Sequence, residues 1–547
     1  MGCSFEDCLL QFLPFGGMKQ STRKSLDRQA RARRQDYGSE TRERHNVRNE
    51  RRDRYQENYF MVQLPSSFNN DSDEYNDDDS DKGKMKSAMA TKHSLLHLIS
   101  TETLINTRLH GSFSILQSDF RWFGPSLPHT TIPTALRFFG VTSLWLTFFE
   151  KFLEAPLKFA QDGPDAQTQV RKCGVPIQHR LSDALGEAVL FCLDFSVNKS
   201  TESNLYRMHD DLWFWGSSRN TALAWGTIQE FAGVMGLTLN DSKTGSVEID
   251  GKSGQKGPSK QLPLGQISWG SLKTQSTGKW TLDDTQVEQQ IRELQRQLSA
   301  CKSIVSWVQA WNLYVTRFLT NNFGDPANYL GRPHVNMAIE AFEKIQRRLF
   351  ASDKLPGDNV IEHLRLKLSH RFDVPHIPDG FFYFLVELGG LGLRNPFVPP
   401  FLIHKHSEKD PVEIVEKAFE LEEEDYAKAK KCYETGTSRS RFQRTSTDVD
   451  SFMSLEEYTS YVEETSPHLG QAYTNPLNTL LKDYTDYMPG VGWNVPAELN
   501  NDYDQWVVKL YGSEIVRKYG GLAMGEKRLL PIGLVSMLRG EKVRWQG

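Results

Sequence analysis

Two adjacent aspartates, Asp210 and Asp211, stand in "LYRMHDDLWFWG" (Leu205–Gly216) between an apolar run and a Leu-Trp-Phe-Trp run. Like charges side by side in apolar surroundings repel, and desolvation makes each of them costlier. A divalent cation removes both penalties. Mg²⁺ takes oxygen ligands in octahedral geometry, commonly one or two carboxylates completed by waters and substrate phosphates. Successive strand residues face opposite sides, so the pair can share an ion only where a turn bends it inward, and a third carboxylate must come from elsewhere. Asp119, at the end of the extended run "GSFSILQSDF", is that candidate. A strand-end acid beside a turn-borne pair could hold two ions about 3.5–4 Å apart, the arrangement of in-line phosphoryl displacement. The competing reading is a surface β-turn, where aspartate is common and no metal is needed.

The elements around these acids alternate in type. "NLYRM" and "LWFWG" are both rich in strand formers and predict a hairpin with the aspartates at its turn. Helices are expected at "TTIPTALRFFG" and "TSLWLTFFEKFLEAPL". In the second, Trp145, Phe148, Phe149 and Phe152 fall at i, i+3, i+4 and i+7, the pattern of a core face. "RLSDALGEAVLFCLDFSV" reads as a helix capped by Ser182 or Asp183. The helix "NTALAWGTIQEFAGVMG" leads to a short strand "LTLN", the loop "EIDGKSGQKGPSKQLPLG" and a second hairpin from "QISWGSL" to "GKWTLD". Val287, Ile291, Leu294, Leu298, Cys301, Val305 and Val308 repeat at 4-3 spacing and predict one seam helix. The sum is an α+β order with an antiparallel hairpin at its centre. The last third reads as helical, with acids ahead of lysines in "VEKAFELEEEDYAKAKKCYE". It is divided by the linker "TGTSRSRFQRTSTD", after which Ser454 and Glu457 form a capping-box pair.

At 547 residues the chain can bury a large core and is long enough for several domains. A net charge of only −4 conceals local bias. Met18 to Arg54 carries thirteen Lys/Arg against six Asp/Glu, and seven of the eleven residues from Asp71 to Asp81 are acidic. Such blocks offer little apolar surface to offset chain entropy, so residues 1–88 read as a disordered arm. A basic arm that finds nucleic acid or directs nuclear targeting is the functional reading of its first half. Six scattered cysteines form no C-x-x-C spacing, which implies neither a zinc site nor a disulfide framework and fits a reducing, intracellular compartment, and the basic arm favours the nucleus over the cytoplasm. Glu6 stands where an acylation signal at Gly2 needs Ser or Thr. No run of eighteen apolar residues is present, so no membrane span is expected.

Taken in order, the motifs resemble the reverse transcriptase domain family of the group II intron and retroelement kind. "SDFRWFGPSLPHTTI" is similar to its first catalytic motif, and "GVPIQHRLSDAL" to the motif that positions nucleotide and template. "YRMHDDLWFWG" stands at the aromatic-x-Asp-Asp hairpin, "GLTLNDSKTG" at the following Gly-Leu…Asn…Lys-Thr motif, and "QISWGSL" at the primer-gripping hairpin. "ELGGLGLRNP" resembles an element beyond the palm in some retroelement enzymes. The likeness covers about residues 95–320. It implies a right-hand polymerase: fingers and palm over 89–283, a helical thumb over 284–352, and a helical region over 353–547 with a linker near 435–449. It implies an RNA template, a DNA primer, deoxynucleoside triphosphates and two Mg²⁺ ions, with Mn²⁺ as substitute; it leaves the oligomeric state open.

By that resemblance Asp119 and Asp210 bind the metals, Asp211 completes the acidic cluster, and Lys243 lies near the triphosphate, while Asn240 shapes the preceding turn. Gly174, Pro176 and Gln178 form the loop against which nucleotide and template pack. Phe123 lies near the sugar, and Trp269 and Gly270 approach the primer backbone. The chain departs from the pattern in three places. Met208 replaces the aromatic before x-Asp-Asp, with His209 at x; Ile177 and Gln178 occupy the usual glutamine and glycine positions; and Gly124 follows Phe123 where a bulky residue often sits. A side chain where backbone must approach substrate crowds it. The expectation is therefore an RNA-directed DNA polymerase, with two alternatives: a palm that binds nucleic acid without efficient polymerisation, and an unrelated helical interaction protein.

Overall fold

The computed structural model describes residues 46–61 and 88–525, apart from short internal stretches of which 251–260, 436–457 and 472–490 are the longest. Its architecture is mixed, helices packed with small antiparallel sheets. By contacts it divides into two units. The first holds 1–268, 274–279 and 412–474, and the second 269–273, 280–411 and 475–547.

The first unit opens with α1 (Val47–Asn58), a helix inside the span expected to be a disordered arm. Asn46 caps it through Asn49 N, and three side chains tie it down. Arg51 grips Glu102 on α2 (Ala88–His110) at 2.9 and 2.8 Å, Tyr55 accepts from Asn198, and Tyr59 is buried against Tyr206. Charge density alone therefore misjudged this stretch, because its apolar Val47, Tyr55 and Tyr59 recur on one face and find a core. The rest of that arm lies outside the described residues, as do the 436–448 part of the linker and the Ser454–Glu457 pair.

The sheet follows: β1 (Ser112–Asp119), then α3 (Thr131–Phe138), α4 (Ser143–Leu153) and α5 (Arg180–Thr201), then β2 (Tyr206–Met208), β3 (Asp211–Gly216), α6 (Ser218–Met235) and β4 (Gly245–Asp250). Its strand order is β2-β3-β1-β4, with every pair antiparallel. The expected hairpin is present; the "LTLN" strand is not. Leu239 makes only an isolated bridge to Phe120, and the edge strand is β4, whose Glu248–Asp250 had read as loop. Leu116, Leu212 and Phe214 share one face and pack with Leu185, Val189 and Leu193 of α5 and Ile228 of α6. His179, not Ser182 or Asp183, caps α5 by accepting from Leu181 N. Ser182 is instead buried one turn in.

The aromatic face of α4 departs most from expectation. Leu146 and Leu153 fill the core position, and Trp145 and Phe148 point outward.

In place of the second hairpin, β5 (Ser268–Trp269), β6 (Leu272–Thr274) and β7 (Trp280–Leu282) make a three-stranded sheet. The seam helix is two helices in the second unit, Asp284–Ala300 and Ile304–Leu313. Ser303 and Ser306 cap each other reciprocally and break the run after Cys301. Residues 389–394 of the "ELGGLGLRNP" stretch act as a strap: Asn312 donates to Gly392 O and accepts from Arg394 N, while Trp311 donates to Arg394 O.

Candidate active site

Strand alternation decides which side chains meet at the end of this sheet. Asp119 is the last residue of β1 and Asp211 the first of β3, and the register sets them directly opposite each other. They lie on the face away from α5, because their neighbours Ser118 and Leu212 pair on the α5 side. Asp210 occupies the two-residue turn with His209, closed by the pair Met208–Asp211. Three acids from two distant segments thus gather at one strand end.

Their partners are few. Asp119 is buried, and its Oδ2 accepts from Lys243 Nζ at 2.9 Å and Asn240 Nδ2 at 3.1 Å. Asn240 N also donates to Asp119 O at 2.8 Å, so the 240–243 turn is wrapped onto the end of β1. Asp210 Oδ1 lies 3.1 Å from His209 Nδ1. Burial first, then the charges of Asp119 and Asp210, push the Asp211 carboxyl up to about 6, with Lys243 and Lys92 opposing. The hydrogen bond to Asp119 leads in raising the Lys243 ammonium above its usual range. Although burial opposes it, the hydrogen bond and charge of Asp210, with Glu187 behind, hold the His209 imidazole above its ordinary value.

Beneath the turn, on the opposite face of the sheet, Arg207 is buried and doubly clamped. Its Nη1 and Nη2 donate to Glu187 at 2.8 and 2.7 Å, a bidentate pair, and its Nε–H is shared between the two oxygens of Asp194 at 2.8 and 2.9 Å, both acids coming from one face of α5. It also reaches His209 O at 3.4 Å. Burial lifts Asp194 to about 6 against the pull of Arg207, since one guanidinium serves two acids. This cluster was missed from sequence, although Glu187 and Asp194 two helical turns apart, facing a strand arginine, are its trace.

The other expected site residues fall into place unequally. Phe123 is buried, with its ring 5.3 Å from that of His209, so it supports the turn from below. Gly174 has φ 80°, and a Cβ there would lie 2.3 Å from Pro125 O; the loop is packed on 125–129, with His129 Nε2 on Gly174 O at 2.9 Å. Pro176 is half-buried on the same loop, and Ile177 and Gln178 lie outside the described residues. Trp269 is buried and Gly270 has φ 57° in the second unit, where a Cβ would meet Asn322 O at 2.7 Å. That contact alone accounts for the glycine. Asn240, read as a turn former, is in addition a direct partner of Asp119, and Lys92 of α2 acts on Asp211 from the N-terminal side.

Hard oxygen donors, an excess of negative charge and a carboxyl lifted to about 6 are the donor chemistry a divalent cation answers. As the side chains stand, no group of three His, Cys, Asp or Glu among the described residues is arranged to hold a metal ion, and Lys243 sits on Asp119. A cavity of about 300 Å³ in the second unit has its cations already matched, Arg365 with Glu362 and Asp379, and Arg394 with Asp504. Among the described residues no helix is long and apolar enough to cross a membrane.

No protein-family model and no curated protein sequence matches the chain. Among solved structures it is similar to apo telomerase from Candida tropicalis truncated from its C-terminal domain, at 16% identity over 35% of this chain and 39% of that one, TM-score 0.26. It is also similar to telomerase from Candida albicans in complex with a TWJ fragment of telomeric RNA, at 12% identity over 47% and 50%, TM-score 0.27. The corresponding Candida tropicalis complex matches at 13% identity over 51% and 43%, TM-score 0.26. The chain spans half or less of the length of each, and a likeness at these scores assigns neither fold nor activity.

Proposed function

We propose that the chain is an RNA-directed DNA polymerase of palm architecture, adding deoxynucleotides to a primer 3′-hydroxyl. One observation carries this reading: the register that sets Asp119 opposite Asp211, with Asp210 in the adjoining turn. Asp119, Asp210 and Asp211 would hold two Mg²⁺ ions, which when bound supply the charge that aligns the hydroxyl and the α-phosphate for in-line displacement. Asn240 fixes the Asp119 carboxylate from the side. Lys243, largely exposed and one hydrogen bond from Asp119, supplies a cation for charge developing on the departing pyrophosphate. The doubly clamped Arg207 holds the turn that carries Asp210. The loop at Gly174 and Pro176 is assigned to nucleotide and template.

A primed RNA template, Mg²⁺ or Mn²⁺ and labelled deoxynucleotides test the reading. Extension that falls roughly a hundred-fold or more in Asp210→Ala supports it. Binding of the primed template without extension supports a second reading, a palm that binds without polymerising. Ile177 and Gln178, standing where the resemblance expects glutamine and glycine, favour that alternative. A chain that neither binds nor extends the primed template overturns both readings.

A further inference from the structure

Among the described residues, Asp119 and Asp210 are each engaged through a single carboxylate oxygen. Asn240 and Lys243 take Oδ2 of Asp119, and His209 Nδ1 lies 3.1 Å from Oδ1 of Asp210, which leaves the second oxygen of each acid without a hydrogen bond. An ionised carboxylate only accepts, so the imidazole is the donor to Asp210. His209 is itself held on three sides. Its backbone stands at φ 57°, a left-handed conformation that persists outside glycine only where the surroundings over-determine it. Its carbonyl oxygen lies 3.4 Å from Arg207 Nη1, and its ring stands edge-on to buried Phe123 with the centroids 5.3 Å apart. Gly186 of α5 leaves room for both rings, since a Cβ there would come 3.2 Å from Phe123 and 3.8 Å from His209 Nε2.

We infer that His209 is a positioning residue: its Nδ1–H holds Oδ1 of Asp210 so that Oδ2 is presented to a divalent cation, as Asn240 does for Asp119 from the other strand end. A donor behind a metal-binding carboxylate fixes its orientation before the ion arrives. The turn by itself does not call for an imidazole. Glycine meets φ 57° without strain and without a donor, so what histidine adds to the backbone it occupies is an N–H at the carboxylate and a ring on Phe123. Arg207 and Phe123 then act on Asp210 through His209, one gripping its carbonyl and the other its ring. The inference rests on the polymerase reading for the reaction that is served, and on the geometry of the turn alone for the hold on the cation.

Three variants of the full chain separate the donor from the ring. Asparagine and glycine both accept φ 57° and both give up the packing on Phe123, but only His209→Asn keeps an N–H where Nδ1 stands. His209→Phe keeps a ring on Phe123 without the donor, and it carries the test if His209→Gly fails to fold by circular dichroism. Mn²⁺ is titrated into protein free of nucleic acid and nucleotide, the unbound ion being counted by electron paramagnetic resonance. Single-nucleotide extension is followed in parallel against Mg²⁺ and nucleotide concentration. His209→Gly and His209→Phe are each expected to bind Mn²⁺ roughly ten-fold more weakly and to lose kcat by a similar factor with nucleotide KM little changed, whereas His209→Asn should recover binding to within about three-fold of wild type. Equal Mn²⁺ affinity in His209→Asn and His209→Gly overturns the inference, and so does tighter binding in His209→Gly, which would mean that the bond withholds the carboxylate. Wild-type Mn²⁺ uptake that Asp210→Ala leaves unchanged overturns it as well. Failure of the polymerase reading looks different: uptake that follows the donor without any extension upholds the role of His209 and removes the polymerase. Extension that proceeds alike in all three variants keeps the polymerase and removes the role of His209.

Discussion

Two clusters of charge lie on opposite faces of the same sheet, a few residues apart, and they are built differently. Glu187, Asp194 and Arg207 are all buried, and every guanidinium arm reaches a carboxylate oxygen. Asp119, Asp210 and Asp211 are three acids facing exposed Lys243 on Asp119, His209 on Asp210 and the charge of Lys92 on Asp211. The first cluster closes on itself. The second keeps its acids in mutual repulsion, which with burial pushes the Asp211 carboxyl up to about 6. Charge whose donors are all bonded marks a structural lock, whereas three acids crowded beside that lock are where added positive charge would be stabilising.

The largest expected effect falls on the lock. Arg207→Met strands two buried carboxylates and should cost about 3–5 kcal/mol in urea unfolding, whereas replacing all three charges by apolar residues of similar volume should restore most of it. A mild Arg207→Met would erase the contrast.

Next in size, Asp211→Asn removes one of three mutually repelling acids. It should raise stability in chelator by about 1 kcal/mol in thermal unfolding while extension is lost, a gain bought by giving up function. Loss of stability would show that Asp211 is structurally paired.

Titration sharpens the same point. Asp211 is raised from an ordinary 3.8 to about 6 on folding, so its contribution to stability is complete below 3.8 and is lost as pH rises through 6. Metal-free protein should therefore melt a few degrees lower at pH 7 than at pH 5, and Asp211→Asn should flatten part of that slope. Asp194 titrates in the same window, so the residual slope in Asp211→Asn reports the other cluster.

The smallest effect belongs to Lys243→Met. Its ammonium is more than half exposed, so the pair with Asp119 should be worth only about 0.2–1 kcal/mol in denaturant unfolding.

The acids, the hairpin and most helices near them were legible because period-2 and period-3.6 patterns state which face is apolar. Asp119 could be named because it ends an extended run. Long-range pairing was illegible: that Asn240 folds back onto Asp119, or that Arg207 meets two acids of α5, depends on register across 121 and up to 20 residues of separation. The aromatic periodicity of α4 misled for a related reason. Amphipathic spacing shows that a helix has an apolar face, but not whether the protein covers it, and here Leu146 and Leu153 met that need from the other side. The single seam helix failed at Ser303, where a reciprocal serine cap overrides an unbroken apolar repeat.

The strand pair that brings Asp119 to Asp211 also insulates the centre from the length of chain between β1 and β2. Residues 120–205 leave the sheet after Asp119 and return at Tyr206, which pairs with Trp213 two residues beyond Asp211, so the ladder fixes both ends. Peptide added to or trimmed from an exposed loop of that excursion alters what surrounds the acids while their spacing stays the same.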